Sequence, residues 1–286
     1  MKRTLFISDL DGTLLSGDAR LSQSSVTLLN HAISRGALFS VATARTPATV
    51  STLMEKVNLQ IPMVVMTGAA LWDKSTGLYS DVQYFRPGQV EEIVKAYLDP
   101  HGAGFLYTLA GKEGRRHVME IYHLGALNSI EREFMEERLD SPFKKFFVPE
   151  SGESALPEVI DNAVLFFGMQ PDEVALEIRK RLDAIRGINP MTYHDWHGDE
   201  ITEIEAFPAG ATKARAIKRL AARVGADRIV VFGDNLNDLS MMGIADWSVA
   251  VANAVPEVKM AADEVIGSNE ADAVPRYILE QLEFPA

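Results

Sequence analysis

The chain has 286 residues, with 28 Lys and Arg against 40 Asp and Glu, for a formal net charge of −12. That balance argues against a nucleic-acid or anionic-membrane surface, since both need clustered Lys and Arg, but it admits a binder of anionic metabolites where positive charge is concentrated locally. Cysteine is absent, which excludes disulfides and thiolate chemistry. No stretch reaches the roughly 18 apolar residues of a membrane span. Met1-Lys2-Arg3 opens like a signal peptide, but Asp9 and Asp11 interrupt the apolar run too early for one. The expectation is a cytoplasmic protein, a monomer or small homo-oligomer, with no membrane and no nucleic-acid partner.

Strand and helix patterns alternate through the first third of the sequence: strand over 3–8, helix over 24–35, strand over 38–42, helix over 47–57, then the strand Met63-Val-Val-Met66 and a hairpin turning at 73–77. Such alternation predicts a parallel sheet with helices on both faces. Between about Pro87 and Pro208 the texture changes. Strands are expected over 104–108, 117–122, 144–148, 162–168, 189–195 and 200–205, with helices over 90–98, 128–139 and 172–185. The alternation in Val118-Met-Glu120-Ile-Tyr122 points to half-exposed antiparallel strands with helices on one side. After Pro208 the first pattern resumes with a helix over 211–224, whose apolar stripe is Ala214, Ile217, Leu220, Ala221 and Val224. Strands over 228–232, 247–251 and 264–266 and a helix over 272–282 follow. The fold class is α/β: a discontinuous Rossmann-like core, residues 1–85 and 206–286, interrupted by an α+β cap domain, residues 86–205.

Chemistry-bearing residues gather at the ends of the core strands. The first strand stops at Asp9-Leu10-Asp11-Gly12-Thr13. Two carboxylates a few Å apart repel unless a cation or a shared proton offsets them, so the pair is a metal site, an acid/base site or the cap of a turn. Ile229-Val-Val-Phe232 likewise ends in Gly233-Asp234-Asn235-Leu236-Asn237-Asp238. Ligands bind beyond the carboxyl ends of strands in open parallel sheets. If these two strands are neighbours, their carboxylates converge on a site of oxygen donors suited to Mg²⁺; otherwise the second run is a turn with a helix N-cap. An EF-hand is excluded, because its mid-loop Gly and terminal Glu are missing. Lys213 falls in the first turn of its helix, where the macrodipole disfavours a cation; it is either solvated or faces an anion. Thr43, in Ser40-Val-Ala-Thr43-Ala44-Arg45, sits at a strand end before a helix, as an ordinary cap or part of a phosphate cradle. Arg45 is placed to meet an anionic group there or to remain at the surface.

The set Asp9-Leu-Asp11-Gly12-Thr13, Thr43, Lys213 and Gly233-Asp234-x-x-Asn237-Asp238 resembles the four motifs of the haloacid dehalogenase-like phosphohydrolases, and the resemblance spans the core. Only 31 residues (12–42) separate Asp11 from Thr43, too few for a cap inserted in the first loop. The late insertion, with Glu203-Ile-Glu205, Val251-Ala-Asn253-Ala254 and Ala262-Asp263, resembles the Cof-like branch. Thr67-Gly68-Ala69 stands where that branch has Asn-Gly-Ala, and Ala44 stands where it has Gly.

The resemblance implies a Mg²⁺-dependent phosphatase of small phosphorylated metabolites, sugar phosphates first. Asp9 would be the nucleophile that forms an aspartyl-phosphate, and Asp11 the proton donor and acceptor. The metal would be held by Asp9, the Asp11 main-chain carbonyl and Asp234. Lys213, Thr43, Asn237 and amides near Leu10 and Ala44 would hold the phosphoryl oxygens. Asp238 would orient Lys213 or a metal-bound water, with Arg45 and Asn253 in support. The insertion would act as a lid, with Arg115-Arg116-His117 and Tyr193-His-Asp-Trp196-His197 as candidate substrate contacts. The alternatives are a phosphomutase of the phosphomannomutase type and a non-enzymatic phospho-aspartate switch.

Overall fold

Short apolar runs rich in Val, Ile and Phe alternate with amphipathic helices along most of the chain. The computed structural model describes residues 3–86, 88–109, 118–149, 156, 160, 162–194 and 200–283. In chain order its elements are β1 (Thr4–Ser8), α1 (Gln23–Ser34), β2 (Leu38–Val41), α2 (Pro47–Leu53), β3 (Met63–Val65), β4 (Ala70–Asp73), β5 (Leu78–Ser80), α3 (Gln89–Leu98), β6 (Gly104–Leu109), β7 (Met119–Leu124), α4 (Ser129–Glu136), β8 (Lys144–Phe147), β9 (Ala163–Pro171), α5 (Asp172–Asp183), β10 (Ile188–His194), β11 (Ile201–Pro208), α6 (Lys213–Val224), β12 (Arg228–Gly233), α7 (Leu239–Met242), β13 (Trp247–Ala250), α8 (Pro256–Ala261), β14 (Glu264–Val265) and α9 (Ala273–Glu283). They fall into two compact units, Met1–Gly77 with Thr212–Ala286, and Leu78–Ala211. No helix among the described residues is long and apolar enough to cross a membrane.

The first unit is built on a parallel sheet of order β14-β13-β12-β1-β2, and a bridge between Ala42 and Val64 brings β3 alongside β2. Its central strands are buried on both faces, as helices on both sides require: Leu5, Ile7, Val231 and Phe232 are fully enclosed. β1 and β12 are direct neighbours, with Ser8 opposite Phe232, so Asp9 and Asp234 leave the same edge of the sheet. On α6 the buried stripe is Ala216, Ile217, Leu220 and Ala221; Ala216 takes the place expected of Ala214 and Val224, which lie half-buried at the stripe's margins. The expected helix over 47–57 stops at Leu53, because the Lys74 ammonium donates to the carbonyls of Met54, Glu55 and Val57 at 2.9, 2.8 and 2.6 Å and so satisfies groups that another helical turn would have used. The short helices α7 and α8 span four and six residues, too few for a 3.6-residue period to show in the sequence.

The second unit carries a six-stranded sheet of order β10-β11-β9-β6-β7-β8. Its pairings are antiparallel except the last: β8 runs parallel to β7, since α4 carries the chain over between them. Leu106 and Phe166 on one face pack with Ile93 and Tyr97 of α3 and Ile178 and Leu182 of α5. Their chain neighbours Phe105 and Phe167 point to the opposite face and meet the Phe134 ring of α4, with centroids 5.7 and 5.0 Å apart. Helices therefore lie on both faces of this sheet rather than on one. Tyr193 is exposed on β10; Arg115, Arg116, His117, Asp195, Trp196 and His197 lie outside the described residues.

One buried cation in this unit opposes folding. Lys144 is 7% exposed, with its ammonium 5.5 Å from the Tyr107 ring centroid and 5.8 Å from that of Phe134. Burial, aided by the charge of Arg138, pushes its pKa down to about 7 from an ordinary 10.5. The folded state thus binds fewer protons than the unfolded chain between pH 7 and 10.5, so this group's cost to stability is fully present below pH 7 and fades toward pH 10.5. Lys144→Met is expected to raise the urea midpoint at pH 6.5, with a margin that shrinks as pH approaches 10.

Candidate active site

At the carboxyl edge of the parallel sheet, a buried ammonium lies between two buried carboxylates. Lys213 Nζ donates to Asp9 Oδ1 at 2.5 Å and to Asp238 Oδ1 at 2.9 Å; the three residues are 2, 6 and 0% exposed. Each arrives by a different route. Asp9 follows β1, where its amide still donates to the Phe232 carbonyl at 2.9 Å. Lys213 is the first residue of α6, which Thr212 caps through its side chain. Asp238 closes the turn after β12, its Oδ2 accepting from the backbone N–H groups of Asp234 and Asn235 at 3.1 and 3.3 Å. Asp238 is therefore both the turn's cap and the lysine's partner, and the helix-start penalty on Lys213 is offset by two anions.

Asp234 joins the group from the side. Thr13 Oγ1 donates to its Oδ1 at 2.8 Å, and Gly12, at φ +77, lies so close that a Cβ there would fall 2.3 Å from Asp234 Oδ2. Glycine at this position is a packing requirement as well as a conformational one. Asp9, Asp234 and Asp238 bring carboxylate oxygens to within 4.8 Å of one another. Burial pushes the Asp9 carboxyl up to about 7; Lys213 opposes the rise, while Asp238 and Asp234 add to it. Asp234 is raised too, chiefly by burial. For Lys213, burial works against the charge, but the two carboxylates outweigh it and hold the amine above the ordinary lysine range. Two acids held above their usual range by proximity and burial, with all-oxygen donors, have the character of a divalent cation site.

Other residues singled out in the sequence stand around this centre without entering it. Asp11 turns its carboxylate outward, 51% exposed, into a two-pronged contact from Arg45 Nε and Nη2 at 2.9 and 2.7 Å. Thr43 is buried just beyond β2, its hydroxyl accepting the Arg45 N–H at 3.1 Å, and Ala44 beside it is exposed. Leu10 is fully buried, and its carbonyl accepts from the amides of Thr13, Leu14 and Leu15 at 3.3, 3.0 and 2.9 Å, winding the chain into a tight coil. Asn237 is exposed on the turn beside Asp238. Asn253 donates to the Gly12 carbonyl at 2.7 Å. Thr13, quoted in the motif but given no role, proves to hold Asp234; its place directly after Gly12 was the available signal.

A family model described as haloacid dehalogenase-like hydrolase matches residues 6–278. The chain belongs to that family. It is similar to the 5-amino-6-(5-phospho-D-ribitylamino)uracil phosphatase YcsE of Bacillus subtilis, 24% identical over 96% of this chain and 94% of that one. It is also similar to the pyridoxal phosphate phosphatase YbhA of Escherichia coli, 23% identical over 96% and 97%. A solved structure of a haloacid dehalogenase-like hydrolase from Bacteroides thetaiotaomicron shares the fold with a TM-score of 0.75, at 20% identity over 98% and 99% of the two chains. The family resemblance drawn from the four motifs is borne out, as is the α/β core with a separate cap sheet. The chain is an enzyme, a haloacid dehalogenase-like hydrolase.

The departure from the hydrolase branch's Asn-Gly-Ala at Thr67 has a local consequence. Met66, Thr67 and Gly68 all take left-handed backbone, at φ 51, 54 and 96. Gly68 admits the α6 start, since a Cβ there would meet the Thr212 carbonyl oxygen at 2.3 Å. Thr67 is β-branched and ill suited to this conformation, and its buried hydroxyl has no hydrogen-bond partner. Asn tolerates the same backbone. Thr67→Asn is expected to stabilise the protein by about 1 kcal/mol, read as a higher midpoint in urea unfolding.

Proposed function

We propose that this hydrolase is a Mg²⁺-dependent phosphatase of small phosphorylated metabolites, with sugar phosphates as the first class to test. The observation that carries the reading is the Lys213 ammonium seated between Asp9 and Asp238, with Asp234 beside them, at the carboxyl edge of the sheet. Relatives named as phosphatases of a phosphoribitylamino-uracil and of pyridoxal phosphate support the substrate class.

In this reading Asp9 attacks the phosphorus, the ester oxygen departs, and an aspartyl-phosphate forms. Water then attacks that phosphorus and restores the carboxylate, so one difficult hydrolysis becomes two easier steps. Lys213 faces the nucleophile's Oδ1 and is the nearest fixed positive charge for the phosphoryl oxygens. Thr43, Asn237 and the amides at Leu10 and Ala44 would complete the phosphoryl cradle. Asp11 gives its proton to the leaving alkoxide and later takes one from the attacking water. To do so its side chain leaves the Arg45 fork and turns inward, and Arg45 is then freed toward the anionic substrate. Asp9 and Asp234, with the Asp11 carbonyl, are the groups that would hold Mg²⁺; Asp238 is already occupied by Lys213 and two amides. The ion supplies charge neutralisation that lets an anionic nucleophile meet an anionic phosphoryl group.

Phosphate release from p-nitrophenyl phosphate, a panel of sugar phosphates and pyridoxal phosphate, with and without Mg²⁺, tests this reading. Metal-dependent release is expected. Asp9→Asn is expected to lower kcat at least about a thousandfold while cooperative unfolding is retained. Asp11→Asn is expected to lower it about 10²–10⁴-fold. No release from any substrate, or an unchanged kcat in Asp9→Asn, would overturn it.

A further inference from the structure

The turn between β14 and α9 holds none of the groups given a chemical role above, yet it grips the loop after the Asp9–Asp11 pair at successive points. Asn269 donates from Nδ2 to the Leu15 carbonyl at 2.8 Å, and its backbone N–H donates to Asn253 Oδ1 at 3.0 Å. Asn253 in turn donates to the Gly12 carbonyl at 2.7 Å. One residue on, Glu270 Oε1 accepts the Gly17 N–H at 2.6 Å. Asp272 Oδ1 accepts from the hydroxyls of Ser22 and Ser25 at 2.5 and 2.7 Å. Apart from the Asn269–Asn253 contact, these join positions 241 to 254 residues apart in sequence, so local chain stiffness does not account for them.

The gripped loop is the one that sets Asp234. The amides of Thr13, Leu14 and Leu15 all turn inward to the Leu10 carbonyl. That leaves the carbonyls of Gly12 and Leu15 to be met from outside, and Asn253 and Asn269 meet them. Inside the coil, Gly12 abuts the Asp234 carboxylate and Thr13 hydrogen-bonds it. A shift of the coil therefore moves Asp234 or strips it of its partner. Outer contacts that orient a ligating carboxylate typically govern metal affinity by 10–100-fold, and a misplacement of about 1 Å can cost about 10² in rate.

We propose that Asn269 is a positioning residue for phosphoryl transfer, acting through Asn253 and the Gly12–Leu15 coil to fix the Asp234 carboxylate. The assignment rests on the phosphatase reading for its effect on turnover, but its effect on the coil is independent of that reading.

Asn269→Asp keeps the side chain's shape and the backbone contact to Asn253, and replaces the donor to Leu15 with a carboxylate facing a carbonyl. Glu270→Ala serves as comparison, since it releases the same loop at Gly17, beyond the coil. In Asn269→Asp, amide exchange at Gly12–Leu15 in the metal-free protein is expected to quicken at least about tenfold, and Mg²⁺ binding by calorimetry to weaken about tenfold. At saturating Mg²⁺, kcat is expected to fall about 10–100-fold with KM within about twofold. Glu270→Ala is expected to leave Mg²⁺ affinity and kcat within about threefold of wild type. Should Asn269→Asp not fold, Asn253→Ala is read in the same way, since it removes the Gly12 contact together with the acceptor of the Asn269 N–H. Wild-type exchange and Mg²⁺ affinity in Asn269→Asp, or equal losses in Glu270→Ala, would overturn the proposal. If the wild-type enzyme releases no phosphate from any substrate, the phosphatase reading fails while exchange and Mg²⁺ affinity still decide the role of Asn269.

Discussion

A single ammonium makes this site possible. Asp9, Asp234 and Asp238 share one corner of a largely buried rim, and three carboxylates so close would not remain ionised there without a counter-charge. Lys213 supplies it from a helix start, a place where a lysine is otherwise disfavoured. The compensation is incomplete: burial still holds the Asp9 carboxyl near 7. That residual deficit is what a divalent cation at this rim would remove.

The sheet order explains how such distant residues meet. β1 and β12 are neighbours although more than two hundred residues separate them, and α6 begins beside the left-handed turn at Met66–Gly68. The strands that deliver Asp9 and Asp234 thus pair directly although the second unit, Leu78–Ala211, lies between them in sequence. What adjusts the site is backbone: Gly12 and Gly68 allow approaches that a Cβ would block, and the amides at Asp234 and Asn235 hold the Asp238 carboxylate that faces the lysine.

Much of this was legible in the sequence, for physical reasons that differ by element. The long core strands and α1, α5 and α6 announce themselves because burial enforces their period. The Asp9 and Asp234 runs are legible because turn formers follow apolar strands abruptly. Three features were not. The end of α2 depends on Lys74, a residue 20 positions away that takes the Met54 carbonyl, and no local pattern encodes that. The placing of α4 on the second face rests on aromatic contacts among Phe105, Phe134 and Phe167, and the parallel pairing of β8 with β7 follows from the crossover that α4 makes. The outward turn of Asp11 toward Arg45 is a rotamer choice between two charged partners, which composition and spacing do not fix.

The central claim is that Asp9 is the group that receives the phosphoryl moiety, with Lys213 facing it. A crystal structure of the protein grown with Mg²⁺ and fluoroberyllate, a mimic of a transferred phosphoryl group, tests this most directly. The account predicts beryllium joined to an Asp9 carboxylate oxygen, the cation on Asp9 and Asp234, and Lys213 within hydrogen-bond reach of a fluoride. Fluoroberyllate on any other carboxylate, or a cation held away from Asp9 and Asp234, would contradict it.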